Sequence, residues 1–272
     1  MNTWVRNSLA ISMVAAGIVG AAASSAQAAD DDCKPWSKRC AETGSIGNDN
    51  TVKDNSYDSF ETGGINIDKD FKGRATTGSI GKKNKVGDDA YDAFRTGGIY
   101  VKDEFKGRAT TGSIGDRNEV GRDADNAFTT GRIHVGDDLR GKVTTGSIGD
   151  DNYVKKDAKD SFQTGDVWVK GDVEGKVSTG NVGDDNTVKG NSRDSFTSGS
   201  VRVNGDLEGT ARTGNVGDDN FVGGDAKNSF NSKGIDIDGD FEGHAKTGNV
   251  GSDNWVGGDA KDSFNAGGIK LR

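Results

Sequence analysis

From Thr43 onward the chain carries short pairs of branched apolar residues separated by one polar residue, with Gly and Asp or Asn between pairs. The pairs are Ile65/Ile67, Ile99/Val101, Ile133/Val135, Val167/Val169, Val201/Val203, Ile235/Ile237 and Ile269/Leu271. Period-two alternation of this kind predicts strands, and the residues between them are turn formers. The strands sit on a fixed lattice. Thr-Gly returns at Thr43, Thr77, Thr111, Thr145, Thr179, Thr213 and Thr247, always 34 residues apart and without insertion or deletion. Six copies are full and the seventh stops at Arg272. Each reads T-G-[S/N]-[I/V]-G-x-x-N-x-V, then [D/N]-[A/S]-x-[D/N]-[S/A]-F, then [I/V]-x-[V/I/L]. A constant period in this range means stacked supersecondary units. The prediction is an all-β protein, a β-solenoid (β-helix) of seven 34-residue repeats over residues 43–272, of either hand.

A weaker symmetry lies inside each copy. A shift of 19 residues lays Thr43-Gly44-x-Ile46 on Thr62-Gly63-x-Ile65, Val52 on Phe71 and Ser56 on Ala75. This predicts two coils per repeat, of 19 and 15 residues. Charge favours the same choice over one 34-residue coil. Asp150-Asp151, Asp184-Asp185 and Asp218-Asp219 share one place in successive copies. One coil per repeat would stack them ~4.8 Å apart, where like charges repel, and two coils would double the gap.

Seven positions per copy are reliably apolar, as in Ile46, Val52, Phe60, Ile65, Ile67, Phe71 and Ala75. That is too little to fold one copy alone, so contact with neighbouring copies must supply the difference. The whole chain has 43 Gly, a single Pro and 31% hydrophobic residues. Gly at this level excludes a helical protein, and the missing Gly period excludes collagen. Near-absence of Pro fits a ladder that needs every backbone N–H, since Pro35 precedes the repeats.

The first 28 residues read as a signal peptide. Arg6 is followed by an uncharged apolar run from Leu9 to Ala23, and Ala26-Gln27-Ala28 supplies a small-x-small cleavage site. Removing the segment leaves no later span long enough to cross a membrane, so the expected destination is extracellular or the cell surface. Residues 29–42 are expected to form an N-terminal cap segment in which Cys33 and Cys40 make a disulfide, the default outside the cell.

Two columns recur in all seven copies. Asn50, Asn84, Asn118, Asn152, Asn186, Asn220 and Asn254 always precede a Val by two residues. Stacked side-chain amides would add to a ladder, and Asx turns or left-handed corners are the other structural role. Phe60, Phe94, Phe128, Phe162, Phe196, Phe230 and Phe264 predict a buried ring stack. Gly47 and its equivalents are expected to turn the chain at positive φ.

No single site stands out from the lattice. His134 and His244, the two histidines, occupy different repeat positions, and the carboxylates recur with the repeat. No cofactor is expected. The acidic turns would admit structural calcium, yet the nonapeptide array of calcium β-rolls is missing, and Asp236-x-Asp238-x-Asp240 has counterparts such as Arg202-x-Asn204-x-Asp206. A net charge of −8 and the lack of a basic, aromatic-interleaved patch argue against nucleic acid. The chain is not expected to be an enzyme.

The element Gly183-Asp184-Asp185-Asn186-Thr187-Val188 resembles the G-x-x-N-x-A core of curlin repeats. The resemblance covers about six residues per copy; the period differs, and Gln163 is the lone Gln after residue 28. It implies a secreted bacterial subunit whose stacked arches form extracellular amyloid fibres in biofilm, with the Asn column and its following Val as ladder and core. The function expected from repeat, export signal and resemblance together is a structural or adhesive component of the bacterial cell surface or matrix, self-associating through its solenoid ends. The alternatives are a module binding polysaccharide or ice on one flat side, and a calcium-stabilised surface protein.

Overall fold

The computed structural model describes residues 40–49, 51–52, 56–57, 60–87, 90–91 and 93–272. The signal segment, Cys33 and Asn50 lie outside them. Every strand pairing among the described residues is parallel and joins residues 34 apart, without a register slip. Ile65 faces Ile99, Ile99 faces Ile133, and the column runs to Ile269. Four seven-stranded parallel sheets result, and residue-level bridges such as Ile80 to Ile114 extend the columns between them. The first rung of the longest sheet is Cys40–Glu42, in register with Arg74–Thr76, so the lattice already includes the last residues of the expected cap segment. At ~4.8 Å per strand the seven coils rise about 30 Å.

Each 34-residue repeat therefore makes one coil, not the two that the internal symmetry suggested. The symmetry is real but lies within the coil, which is pinched into two lobes. One lobe packs the strands Ile99–Val101 and Phe105–Thr110 face to face around Ile99, Val101, Phe105 and Ala109. The other closes around Ile114, Val120, Ala124 and Phe128. Side chains alternate inward and outward as a pleated strand requires, and the inward set is the apolar set.

The waist between the lobes is polar and is built by the Thr-Gly pairs. Thr96 Oγ1 donates to the Gly112 carbonyl across the waist at 2.8 Å and accepts the Gly131 N–H from the next coil at 2.9 Å. Thr111 Oγ1 does the same in the opposite sense, donating to Gly131 O at 3.1 Å and accepting Gly146 N–H at 2.7 Å. Each buried hydroxyl thus ties two lobes and two coils together. Gly is required beside it because a Cβ at Gly112 would fall on the Gly78 backbone of the coil below. Stacking a 19-residue lobe on a 15-residue one would set Phe over Val, as Phe71 over Val52, whereas a shift of 34 sets like on like.

At the first Asp of each pair, stacking one coil per repeat does not bring bare like charges together, for a local reason. Asp150, Asp184 and Asp218 do sit one coil apart, but each turns Oδ1 onto the next coil's backbone. Asp150 accepts Asp184 N–H at 2.9 Å and Asp184 accepts Asp218 N–H at 2.8 Å. Each of these three carboxylates gains a charge-assisted bond that offsets repulsion from its neighbour, while the second Asp of each pair stands at a left-handed corner where the repulsion remains.

Thr111→Val will orphan a buried N–H and a buried C=O, at about 1–3 kcal/mol each. Its urea midpoint will fall well below that of Thr111→Ser, which keeps the hydroxyl. Equal midpoints for the two variants would show that the waist bonds do not hold the lobes together.

Candidate functional site

The described members of the Asn column are buried from Asn84 to Asn220. Their amides do not bond one another. Oδ1 of each accepts the backbone N–H of the Asn in the preceding coil, as in Asn118 N to Asn152 Oδ1 at 2.9 Å. From Asn118 to Asn254, Nδ2 turns back to the Gly carbonyl three residues earlier, as in Asn118 to Gly115 at 2.7 Å. The side chain therefore serves as ladder and turn at once. The residue before it takes the left-handed corner: Lys83, Arg117, Asp151, Asp185, Asp219 and Asp253 have φ of 53–59°.

Gly47 and its equivalents do not take positive φ, contrary to expectation. They are glycines for lack of room. A Cβ at Gly149 would strike the Asp116 carboxylate, and one at Gly183 the Asp150 carboxylate, where those groups reach up to the next coil.

All seven phenylalanines of the recurring column stack, with ring centroids 4.7–5.0 Å apart and planes within 17°. The backbone beneath them changes partway along. Phe94 N donates upward to Ala127 O at 2.7 Å, whereas Phe196 N donates downward to Ser161 O at 3.2 Å. From Phe162 on, the phenylalanines of this column have φ of 53–63°, a costly region for a bulky residue. Beside the rings Ala127 gives way to Ser161, Ser195, Ser229 and Ser263, although Ser59 already stands beside Phe60, whose amide donates upward to Ala93 O. From Ser161 on, the hydroxyls accept the amide of the coil below, as in Ser161 N to Ser195 Oγ at 3.3 Å.

Two further Asx columns were not singled out in the sequence. Asp138, Asp172 and Asp206 accept the amides of Asp172, Asp206 and Asp240. Asp123, Asp157, Asn191 and Asp225 accept those of Asp157, Asn191, Asp225 and Asp259. Their signal was present, an Asp or Asn recurring every 34 residues among the turn glycines.

For calcium, no group of three or more His, Cys, Asp or Glu among the described residues is arranged to hold a metal ion. Asp236 and Asp238, the calcium-like pair, meet cations of the chain itself. Arg272 approaches both at 3.6 Å and Arg202 approaches Asp238 at 3.9 Å. The exposed acids that remain form a ridge along the left-handed corners. Slight burial, then Asp219, Asp151, Asp184 and Asp150 around it, push the Asp185 carboxyl above its usual range.

The lattice breaks at one place on the outward face of the alternating-pair strands. Tyr100, His134 and Trp168 succeed each other on adjacent coils, His134 stacked on Tyr100 at 5.0 Å and Trp168 edge-on at 4.6 Å. Partial burial and then Lys170 push the His134 imidazole below its ordinary value. Beside them the Gly-Gly of early copies becomes Gly131-Arg132, Gly165-Asp166, Gly199-Ser200 and Lys233-Gly234. Asp166 accepts the Ser200 amide at 2.7 Å and its hydroxyl at 2.9 Å, and pairs with Lys233 at 3.5 Å and Arg132 at 3.6 Å. Burial opposes its ionisation, but Lys233, Ser200 and Arg132 outweigh that and hold the carboxyl below its usual range. A carboxylate so held is a weak base, and the cluster reads as an ion-paired repair of a departed glycine. His244 lies in a different sheet, opposite Thr210, so the two histidines do not share a site. The remaining concave features include an open groove over Asp123, Asp157, Lys159 and Arg193. Comparison with protein-family profiles, curated proteins and solved structures finds no match.

Asp185→Asn should raise the melting temperature at pH 7 by a few tenths to about 2 °C, as befits an exposed charge. A carboxyl pushed up on folding disfavours the folded state above its folded pKa and costs nothing below its unfolded pKa. The gain should therefore vanish as pH falls below about 4. A gain that persists at pH 3 would rule out charge relief as its origin.

Proposed function

We propose that the protein is an exported structural or adhesive rod of the bacterial cell surface or extracellular matrix, that it works without catalysis, and that its copies join end to end. The observation that carries this reading is the strict 34-residue register. Backbone ladder, Asn column, Asx columns and Phe stack all run parallel to one axis, so each coil is a template for the next. A second copy that stacks on the last coil meets the same columns in the same order. The edge it would cover is apolar: Phe264, Ile269 and Leu271 are 40–52% exposed, while Phe230 and Ile235 one coil below are buried. Unpaired strand edges of this kind pair with other chains unless they are guarded. Lys270 and Arg272 stand on that edge, but the Arg272 guanidinium is turned back onto Asp236 and Asp238. The export reading rests on the Leu9–Ala23 run and its Ala26-Gln27-Ala28 site.

Purified processed protein, incubated with sonicated seeds of its own aggregates, should elongate into fibres with a meridional reflection near 4.8 Å. Ile269→Lys with Leu271→Lys should leave the melting temperature within about 2 °C and abolish elongation, because both side chains are half exposed. Monomers that persist under seeding would overturn the end-to-end part of the reading.

A further inference from the structure

The outward face of the longest sheet is strongly cationic over three coils, although the chain as a whole carries −8. Strand Phe71–Thr76 presents Lys72 and Arg74, Phe105–Thr110 presents Lys106 and Arg108, and Leu139–Thr144 presents Arg140 and Lys142. The apolar residues of these strands point inward and all six cations point outward, five of them exposed and Arg74 half-buried. The register sets cation directly on cation: Lys72 on Lys106, Lys106 on Arg140, Arg74 on Arg108 and Arg108 on Lys142. Like charges directly opposite across a ladder destabilise it. Arg140 is shared by Glu104 at 3.7 Å and Glu174 at 3.6 Å, which offsets part of that cost. Further along, the same places hold Glu208 with Thr210 and Glu242 with His244, so the sheet does not need cations to fold.

We propose that these two cationic columns bind a linear polysaccharide of uronate units laid along the solenoid axis. The columns are straight, ~4.8 Å apart from rung to rung, and about 7 Å apart across the strand. Arginine forks and lysine ammoniums both suit carboxylates. The strip is narrow. On one side it is bordered by the acidic turn column Asp70, Glu104 and Asp138, and on the other by Thr76, Thr110 and Thr144. A single thin chain fits between these borders, whereas a nucleic-acid duplex would lie over the acidic column as well. A single nucleic-acid strand gains much of its affinity from stacking on aromatic side chains, and this face carries none. The inference supplies a ligand for the adhesive part of the proposed function and rests on that reading for where the ligand is met. It does not require assembly.

The test is titration of monomeric protein with sodium polygalacturonate, with neutral dextran and DNA as comparison ligands. Polygalacturonate should bind, dextran should not, and raising salt from 50 to 200 mM should weaken binding at least tenfold, as release of counterions demands. The triple variant Lys106→Gln, Arg108→Gln, Lys142→Gln should lose at least tenfold in affinity. Its melting temperature should not fall, because stacked like charges are being removed. Lys156→Gln, Lys227→Gln, Lys261→Gln removes the same charge from other faces and should change affinity less than twofold. Equal losses in the two triple variants, salt-independent binding, or tighter binding of DNA than of polygalacturonate would each overturn the proposal. Because monomers are used, binding can fail while seeded assembly succeeds, and the reverse.

Discussion

The structure depends on identical backbone and side-chain groups repeating at the spacing of one β-strand. At that spacing a side chain has its own kind above and below, so what stacks well on itself is favoured and what repels itself must be neutralised. Phenyl rings satisfy the condition by near-parallel stacking at 4.7–5.0 Å. Asparagine and aspartate satisfy it by reaching for backbone amides of the adjoining coil instead of for one another. Threonine at the waist donates within its own coil and accepts from the next, so one buried hydroxyl leaves two backbone groups satisfied. These polar columns explain how a chain with 31% hydrophobic residues orders itself. The stability that an ordinary domain draws from one large core is here divided between two thin cores and several hydrogen-bonded columns.

Much of this was legible because a 34-residue period without slips permits little besides a stack. The inward positions, the Phe stack and the turn sites follow from the alternation and from Gly, Asp and Asn placement. The number of coils per repeat is not legible in the same way. The 19-residue shift records a resemblance between two lobes facing each other across the waist, and pattern alone cannot tell a lobe from a coil. What separates them is where the Thr hydroxyls find partners, a three-dimensional fact. Like charge is tolerated at this spacing for an equally three-dimensional reason: the Asp150, Asp184 and Asp218 carboxylates are not bare charges but are each spent on an amide one coil away.

The glycines after Ile46 and its equivalents teach a related lesson. Glycine is a response to positive φ or to crowding, and sequence does not say which. At Gly149 and Gly183 it is crowding by a neighbouring carboxylate, while the left-handed corner falls to Asp, Lys or Arg two residues later. The reversal of amide direction at Phe162 is likewise hidden, because Phe precedes and follows it without change. The residue beside the ring does not give it away either: Ser161 follows Ala93 and Ala127, but Ser59 stands beside Phe60, whose amide still donates to the next coil, to Ala93 O.

Division of labour between inward and outward positions also determines where function can reside. The inward columns tolerate little, because a change at one rung is felt by the rungs on both sides. The outward columns have no such restraint: one of them runs Asn66, Tyr100, His134, Trp168, Arg202, Asp236 and Lys270 on an unchanged backbone. A run of like residues on an outward column is therefore not required by folding, and a run of like charges is opposed by it. The cations from Lys72 to Lys142 persist against that opposition on three successive coils, and their spacing is set by the ladder rather than by flexible loops. A solenoid of this kind presents charge as a ruler. Its natural counterpart is an extended polymer with charges at regular intervals, because a compact partner could meet only a few rungs at once.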